Sequence, residues 1–298
     1  MQIFHSIEEV EADNLVLTLG NFDALHLGHQ ALFKKMSQLG EPALLTFSNH
    51  PATILKTTPK PPLLSLPHKL HLLENYGVKK TFLLPFTKEL SKQSAEEFLT
   101  TLHKKVPFSH LLLGYDARIG HKREGDQTVV QAIADHLGFG LEYLPPVLWE
   151  KEPVSSSRIR LALQQGDLAC VFALLGRPYS IYGEVVEGAG KGRAIGFRTM
   201  NLKVDGLCLP PLGVWAVSLN YRGMQYQGIA NLGLAPTVRE TLRPLLEVHI
   251  PGFDQEIYGE SVNVHFIRFL RSEKKFLSLE ELKNQIVSDI KSLELNLN

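Results

Sequence analysis

The sequence predicts an α/β chain in which a parallel sheet wrapped by helices is followed by an antiparallel β-barrel with a terminal helix. Three observations predict it. Residues 1 to about 175 alternate short apolar runs with helical stretches, the rhythm of a parallel sheet built from βαβ units. Past Gly176-Arg177-Pro178 the rhythm gives way to short strand-like runs, many separated by glycine turns, as in a compact barrel. Ser278-Leu279-Glu280-Glu281 then has the spacing of a capping box and opens a last helix.

In the N-terminal part, strands are expected around 15–19, 43–47, 80–86, 110–113 and 141–144. From Gly28 the pattern turns helical, with Leu32, Phe33 and Met36 at three- and four-residue spacing and Gly40 as the stop. Ser94-Ala95-Glu96-Glu97 fits a capping box, and 128–137 reads as another helix. Val154-Ser155-Ser156-Ser157-Arg158-Ile159-Arg160 opens a helix that ends near Gly166-Asp167. Barrel strands are expected at 181–186, 201–204, 214–221, 226–230, 246–250 and 261–269. The division falls at 1–176 and 177–298.

Composition bounds the function. The 298 residues suit about two domains, and 44% hydrophobic with 21% charged is an ordinary globular balance. A net charge of zero and a pI near 7.2 give no basic footprint for duplex nucleic acid or an anionic membrane. The N-terminal Met1-Gln2-Ile3-Phe4-His5 lacks the regions of a signal peptide, no apolar run approaches a membrane span, and two cysteines make no disulfide framework. The expectation is a cytoplasmic protein.

The most informative segment is Gly20-Asn21-Phe22-Asp23-Ala24-Leu25-His26-Leu27-Gly28-His29, between the first strong strand and its helix. Histidines three apart at a helix start can face one point, where backbone N–H groups and the helix dipole already favour an anion. A triphosphate suits such a site. A structural histidine pair would show the same spacing, and zinc is a rival, although Cys170 and Cys208 lie far apart and a metal would need His50 or a distant carboxylate. Ser155 and Ser156 cap a helix and can donate to phosphate, with Arg160 adding a planar cation; a plain cap reads alike. In the second half, Gly188, Gly190 and Gly192 alternate around Lys191 and Arg193. The segment matches neither a Walker A loop nor G-x-G-x-x-G, so it is a phosphate flap or a hairpin turn. Glu247 interrupts the apolar strand Leu246–Ile250, either as a working carboxylate or on a solvated barrel face.

Together these segments resemble the bacterial bifunctional riboflavin kinase/FAD synthetase family. Gly20 to His29 resembles the H-x-G-H signature of its Rossmann-like nucleotidyltransferase sheet, and His50-Pro51 matches half of a D-P-H-P loop. Gly114 to Gly120 resembles G-x-D/N-F-x-F-G, with Asp116 and Arg118 in place but Ala117 and Ile119 for the phenylalanines, thinning a stacking surface. Ser155 to Arg160 resembles I-S-S-T-x-x-R. Gly196-Phe197-Arg198-Thr199-Met200-Asn201 resembles G-F-P-T-A-N, with Arg198 and Met200 replacing Pro and Ala. Asn231 to Thr237 resembles an N-x-G-x-x-P-T turn, Leu246 to Ile250 an L-E-x-H-I strand, and Arg271 to Phe276 the closing segment.

The resemblance implies that the barrel phosphorylates riboflavin with ATP and Mg²⁺, and that the N-terminal domain adenylylates FMN to FAD, releasing pyrophosphate. It implies His26 and His29 on the phosphates, and Gly20, Asn21, Phe22, His50, Asp116, Arg118, Ser155, Ser156 and Arg160 around nucleotide and flavin. In the barrel it implies Thr199 and Asn201 on Mg²⁺–ATP, Glu247 as the base for the riboflavin 5′-hydroxyl, and Gly190, Lys191 and Arg193 in the flap. Partners are then small molecules, ATP, riboflavin and FMN, with flavoprotein clients receiving the products. Arg198 and Met200 keep open an adenylyltransferase whose barrel is only a flavin-binding or regulatory module. The phosphate histidines and Glu247 speak against a mere flavin carrier.

Overall fold

The computed structural model describes residues 1–7, 14–49, 51–55, 60–188, 196–236 and 242–294. The chain forms two compact units, Met1–Lys60 with Lys69–Ser156, and Pro61–His68 with Ser157–Asn298. The units thus divide at Ser156/Ser157, and the helices after that point cluster with the barrel.

The first unit holds strands β1 (Gln2–Phe4), β2 (Leu15–Leu19), β3 (Glu41–Phe47), β4 (Lys80–Leu84), β5 (Phe108–Gly114) and β6 (Gly140–Leu144). They make one six-stranded sheet in the order β1-β4-β3-β2-β5-β6, with all pairs parallel. The expected strands are all present. β1 was not expected, because three residues of an edge strand carry too little periodicity to read. Leu15, Val16, Leu17 and Thr18 of β2 are all fully buried, so β2 reads as a continuous apolar run rather than an alternation. Leu15, Leu17, Leu45, Phe82, Leu111 and Leu113 pack with Phe98, Leu99 and Leu102 of α4 (Ala95–Lys105) and Val130, Ile133 and Ala134 of α5 (Gln127–Leu137).

The helix ends follow their sequence signals. Glu97 N donates to Ser94 Oγ at 3.1 Å and Ser94 N to Glu97 Oε2 at 2.8 Å, a complete capping box. Asp126 caps α5 by accepting from Thr128 N and Val129 N, and Gly138 ends it with φ 79°. The helix after β2, α1 (Leu27–Leu39), buries Leu32, Phe33 and Met36, and Gly40 N closes it onto the Met36 carbonyl. Chain order along the sheet reverses at β2, which lies between β3 and β5. Ligands of open α/β sheets bind beyond the carboxyl ends of strands at such a switch point, and the loops leaving β2 and β5 lie there.

The second unit contains α6 (Ser156–Gln165, counted here from Ser157), α7 (Leu168–Leu175) and a closed barrel. Its strands are β7 (Ser180–Val186), β8 (Met200–Lys203), β9 (Gly213–Tyr221), β10 (Met224–Pro236), β11 (Leu242–His249) and β12 (Ser261–Arg271). Around the barrel the order is β8-β11-β10-β9-β12-β7, all antiparallel. Each expected barrel strand is present. The turn expected at 231–237 is instead strand through Pro236, with Thr237 outside the described residues. Gly233 lies against the Glu273 carboxylate and the Asn231 amide, side chains that a Cβ would push aside. Leu202, Leu246 and Leu232 pair across three strands and are fully buried, so this row faces the barrel core with Trp215 and Phe266. The last helix, α8 (Leu279–Glu294), starts as expected: Glu281 N donates to Ser278 Oγ at 3.1 Å, while its carboxylate accepts from Leu277 N.

Candidate active sites

In the first unit, the loop from Gly20 to His26 departs sharply from regular backbone. Phe22, Ala24 and Leu25 all have positive φ, at 48°, 77° and 49°, which non-glycine residues adopt at a cost of order 1–3 kcal/mol each. Such strain persists only where surrounding contacts over-determine it. Ser156 Oγ donates to Asp23 O at 2.7 Å and Gln30 Nε2 to Leu25 O at 2.9 Å. Phe22 is buried, with its ring 5.0 Å edge-on from that of His29 and 5.6 Å from that of Phe33. Gly20 makes room for it: a Cβ would stand 3.2 Å from the Phe22 ring.

This loop delivers the histidines. His26 occupies the N-cap of α1 without a side-chain cap bond, and its ring stacks on that of His29 at 3.7 Å and 16°. A Cβ on Gly28 would meet the His26 ring at 3.1 Å, so the glycine between them lets the rings stack over the helix start. His26 is 8% exposed. Two imidazoles at the N-terminal end of a helix can donate to the oxygens of an anion that the helix dipole also favours. Ser156 reaches the same loop, and Ser155 precedes it by one residue. Asp116 and Arg118 are exposed in the loop after β5, where the Arg123 guanidinium donates to the Asp116 carbonyl at 3.3 Å. Ile119 is buried in the sheet core with Ala117 packed against it, so the missing phenylalanines concern the core as well as any stacking surface. Arg160 lies in the second unit and donates from Nε to Pro61 O at 3.0 Å. His50 is outside the described residues.

Sequence reasoning missed Lys69. It is 8% exposed, and its Nζ lies 3.3 Å from Asn21 O, 3.2 Å from Thr46 Oγ1 and 3.4 Å from Phe47 O. Burial lowers its pKa from 10.5 to about 8, opposed by the charge of Asp23. Only tertiary contact reveals it, because Asn21 is 48 residues away in sequence.

In the barrel, register builds the site. Asn201 of β8 stands opposite Glu247 of β11, and Glu247 opposite Asn231 of β10. This polar row is offset by one residue from the buried leucine row and therefore points out of the barrel. A cavity of about 560 Å³ lies there, lined by Phe197 and Thr199 just before β8, by Asn231, Glu247, His249 and Arg271 from the strands, and by Leu279, Leu282, Ile286 and Asp289 of α8. Arg271 grips Asp289 in a bidentate pair, Nη2 to Oδ2 at 2.8 Å and Nε to Oδ1 at 3.1 Å, holding the helix against the strand end. Glu247 is half-buried on this wall.

Asn201 is 4% exposed, and its Oδ1 has no hydrogen-bond partner among the described residues. Gly188 approaches so closely that a Cβ would overlap the Asn201 amide. An orphaned carbonyl oxygen two residues from the Thr199 hydroxyl fits a hard divalent cation, which takes oxygen ligands. Arg198 and Met200 do not line the cavity. Met200 is 8% exposed and paired with Val248, and the Arg198 guanidinium donates to Asp254 O at 3.2 Å. Gly190, Lys191 and Arg193 fall outside the described residues. No helix among the described residues is long and apolar enough to cross a membrane.

A parallel sheet with a stacked histidine pair at a helix start by its switch point, joined to a barrel whose largely apolar cavity carries a carboxylate beside Thr199 and Asn231, is the build of a two-part phosphate-transferring enzyme. Residues 8–158 match the FAD synthetase family model and residues 175–297 the riboflavin kinase model. The chain is 35% identical to the bifunctional riboflavin kinase/FMN adenylyltransferase of Haemophilus influenzae, covering 93% of this chain and 92% of that one. It is 32% identical to the protein of that name from Bacillus subtilis, over 96% and 93% of the two chains. A crystal structure named as a macrolide-efflux protein from Streptococcus pneumoniae superposes over 100% of both chains with a TM-score of 0.85 and 28% identity. The chain belongs to the bifunctional riboflavin kinase/FMN adenylyltransferase family.

Proposed function

We propose that the chain performs both transfers of its family, with the kinase in the barrel (177–298) and the adenylyltransferase in 1–176. The observation that supports it best is the polar row Asn201–Glu247–Asn231, of which Glu247 and Asn231 line one cavity together with Thr199, a base beside oxygen-bearing side chains and room for a flavin. In the kinase step Glu247 takes the proton of the riboflavin 5′-hydroxyl. That oxygen bonds to the γ-phosphorus of ATP as the bond to the ADP oxygen breaks. Thr199 and Asn201 would hold Mg²⁺, which when bound neutralises phosphate charge. Gly190, Lys191 and Arg193 are assigned to the phosphate flap on sequence alone.

In the second step an FMN phosphate oxygen bonds to the α-phosphorus of ATP and the bond to the β-phosphate oxygen breaks, releasing pyrophosphate. His26 and His29 donate to the oxygens where charge develops, a role of placed donors rather than covalent chemistry. Gly20 and Phe22 hold His29, and Ser156 holds the loop from the start of α6. Asn21, Asp116, Arg118, His50, Ser155 and Arg160 are assigned to nucleotide and flavin phosphate on their motifs. Partners are ATP, riboflavin and FMN, with flavoproteins taking the products. The balanced charge, and two cysteines too few and too far apart in sequence for a disulfide framework, support a cytoplasmic setting without nucleic-acid or membrane partners.

The test supplies riboflavin plus ATP, and separately FMN plus ATP, each with Mg²⁺, and analyses for FMN and FAD. Both products are expected. FAD from FMN without FMN from riboflavin would leave the barrel as a binding module.

A further inference from the structure

We infer that Lys69 is a positioning residue for adenylyl transfer, its ammonium pinning together the carboxyl ends of β2 and β3 beneath the histidine loop. The inference rests on the adenylyl-transfer reading of that loop. Helix α3 (Leu66–Asn75), which follows the short α2 (Pro51–Ile54), supplies Lys69. Its ammonium meets the Asn21 carbonyl just past β2, the Phe47 carbonyl at the end of β3, and the Thr46 hydroxyl between them. Thr46, itself fully buried, donates onward to the same Asn21 carbonyl at 3.4 Å.

All three acceptors are neutral. A buried ammonium on carbonyls and a hydroxyl is a costly arrangement, since these neutral groups only partly replace the lost hydration. The cost falls beside the stretch that holds Phe22, Ala24 and Leu25 in the left-handed region. Asn21 is the last residue before that stretch, so the ammonium fixes the point from which the strained loop departs toward His26 and His29. Asp23, whose charge acts on Lys69, lies within the same loop, and its carbonyl accepts from Ser156. The loop is thereby held at two points, by Lys69 at Asn21 and by Ser156 at Asp23. A cation below an anion site also adds a favourable field for the triphosphate without touching it.

The prediction differs from that for a purely structural lysine. Loss of the pin should shift the histidine pair relative to the reacting phosphorus more than it weakens ground-state binding, and displacements of about 1 Å can cost about 100-fold in rate. The experiment uses the full-length chain with Lys69→Met, Lys69→Arg and Thr46→Val, measuring kcat and KM for FAD formation from FMN and ATP. Riboflavin phosphorylation is measured on the same preparations. Lys69→Met should lower kcat for FAD at least about tenfold, with the KM for ATP changed less than about threefold and FMN formation retained. Lys69→Arg, which keeps the cation, should recover part of the loss. Thr46→Val, which removes one acceptor and keeps shape, should lose about threefold and serves if Lys69→Met does not fold.

A parental kcat in Lys69→Met or in Thr46→Val overturns the inference. So does an equal fall of FAD and FMN formation, or an arginine variant no better than methionine. A parent that forms FMN but no FAD overturns the adenylyl-transfer reading itself, which separates the two failures.

Discussion

The two candidate sites are built by opposite means. The histidine site is a departure from regular backbone: three left-handed non-glycine residues, a buried phenylalanine wedge and glycines at 20 and 28 that admit close contacts. The barrel site is regularity itself, a row of side chains set side by side because β8, β10 and β11 pair in register. A strained loop places groups in directions that no regular element offers, and it depends on every contact that holds it. A ladder places groups on a surface already fixed by main-chain hydrogen bonds, so single side chains there can change with little effect on their neighbours' positions. Conservative substitutions should therefore separate chemistry from fold more cleanly in the barrel.

The largest expected effect is that of Glu247→Gln, which keeps size and hydrogen bonding but removes the base. Riboflavin phosphorylation should fall by about 10² to 10⁴, while FAD synthesis from supplied FMN continues. Equal loss of both activities would show a shared site or a folding defect, and the contrast between the regions would fail. His29→Ala comes next, with a loss of about 10² to 10³ in FAD formation and parental FMN formation. A folded variant that makes FAD within a few-fold of the parent removes His29 from the reaction.

Lys69 supplies a test through pH. Its pKa in the fold, about 8, lies below the ordinary 10.5, so the folded protein gives up this proton first as pH rises. Between those values the unfolded chain binds more protons, and linkage then makes stability rise with pH. The burial penalty is fully present below about pH 8 and is relieved toward 10.5, by on the order of 3 kcal/mol if Lys69 alone sets the change. Urea unfolding of parent and Lys69→Met across that window should show the parent gaining relative to the variant. A constant difference between them would mean that Lys69 is not depressed.

The smallest effect is expected from Arg198→Pro with Met200→Ala. Met200 is buried away from the cavity wall and Arg198 is bound to the Asp254 carbonyl, so neither departure from the family pattern touches the polar row. Riboflavin phosphorylation should change by only about threefold, with ATP affinity as the parameter that moves; Met200→Ala itself leaves a small gap in the barrel core. A parent without kinase activity that the double change awakens would identify the barrel as a decayed module.

Much of this protein is local and therefore legible in its sequence. His26 and His29 meet because residues three apart on a helix start share a face, Ser94 and Glu97 cap because their spacing closes two bonds, and the leucines of the barrel strands alternate with polar residues at period two. Those patterns determined the two-part α/β and barrel fold and pointed to both sites. Register and long-range contact were decided only by tertiary structure. Nothing near Asn231 says that it faces Glu247 and not a turn, because the pairing of β10 with β11 is fixed by burying Leu232 against Leu246, and the polar neighbours follow. Arg271 and Asp289 are unremarkable charges until α8 folds back over the strand end. Lys69 reads as an ordinary helix lysine until packing withdraws it from water and leaves it the carbonyls of Asn21 and Phe47 as partners. A side chain's neighbours in sequence set its backbone; its solvation, and with it its chemistry, is set by whatever the fold brings against it.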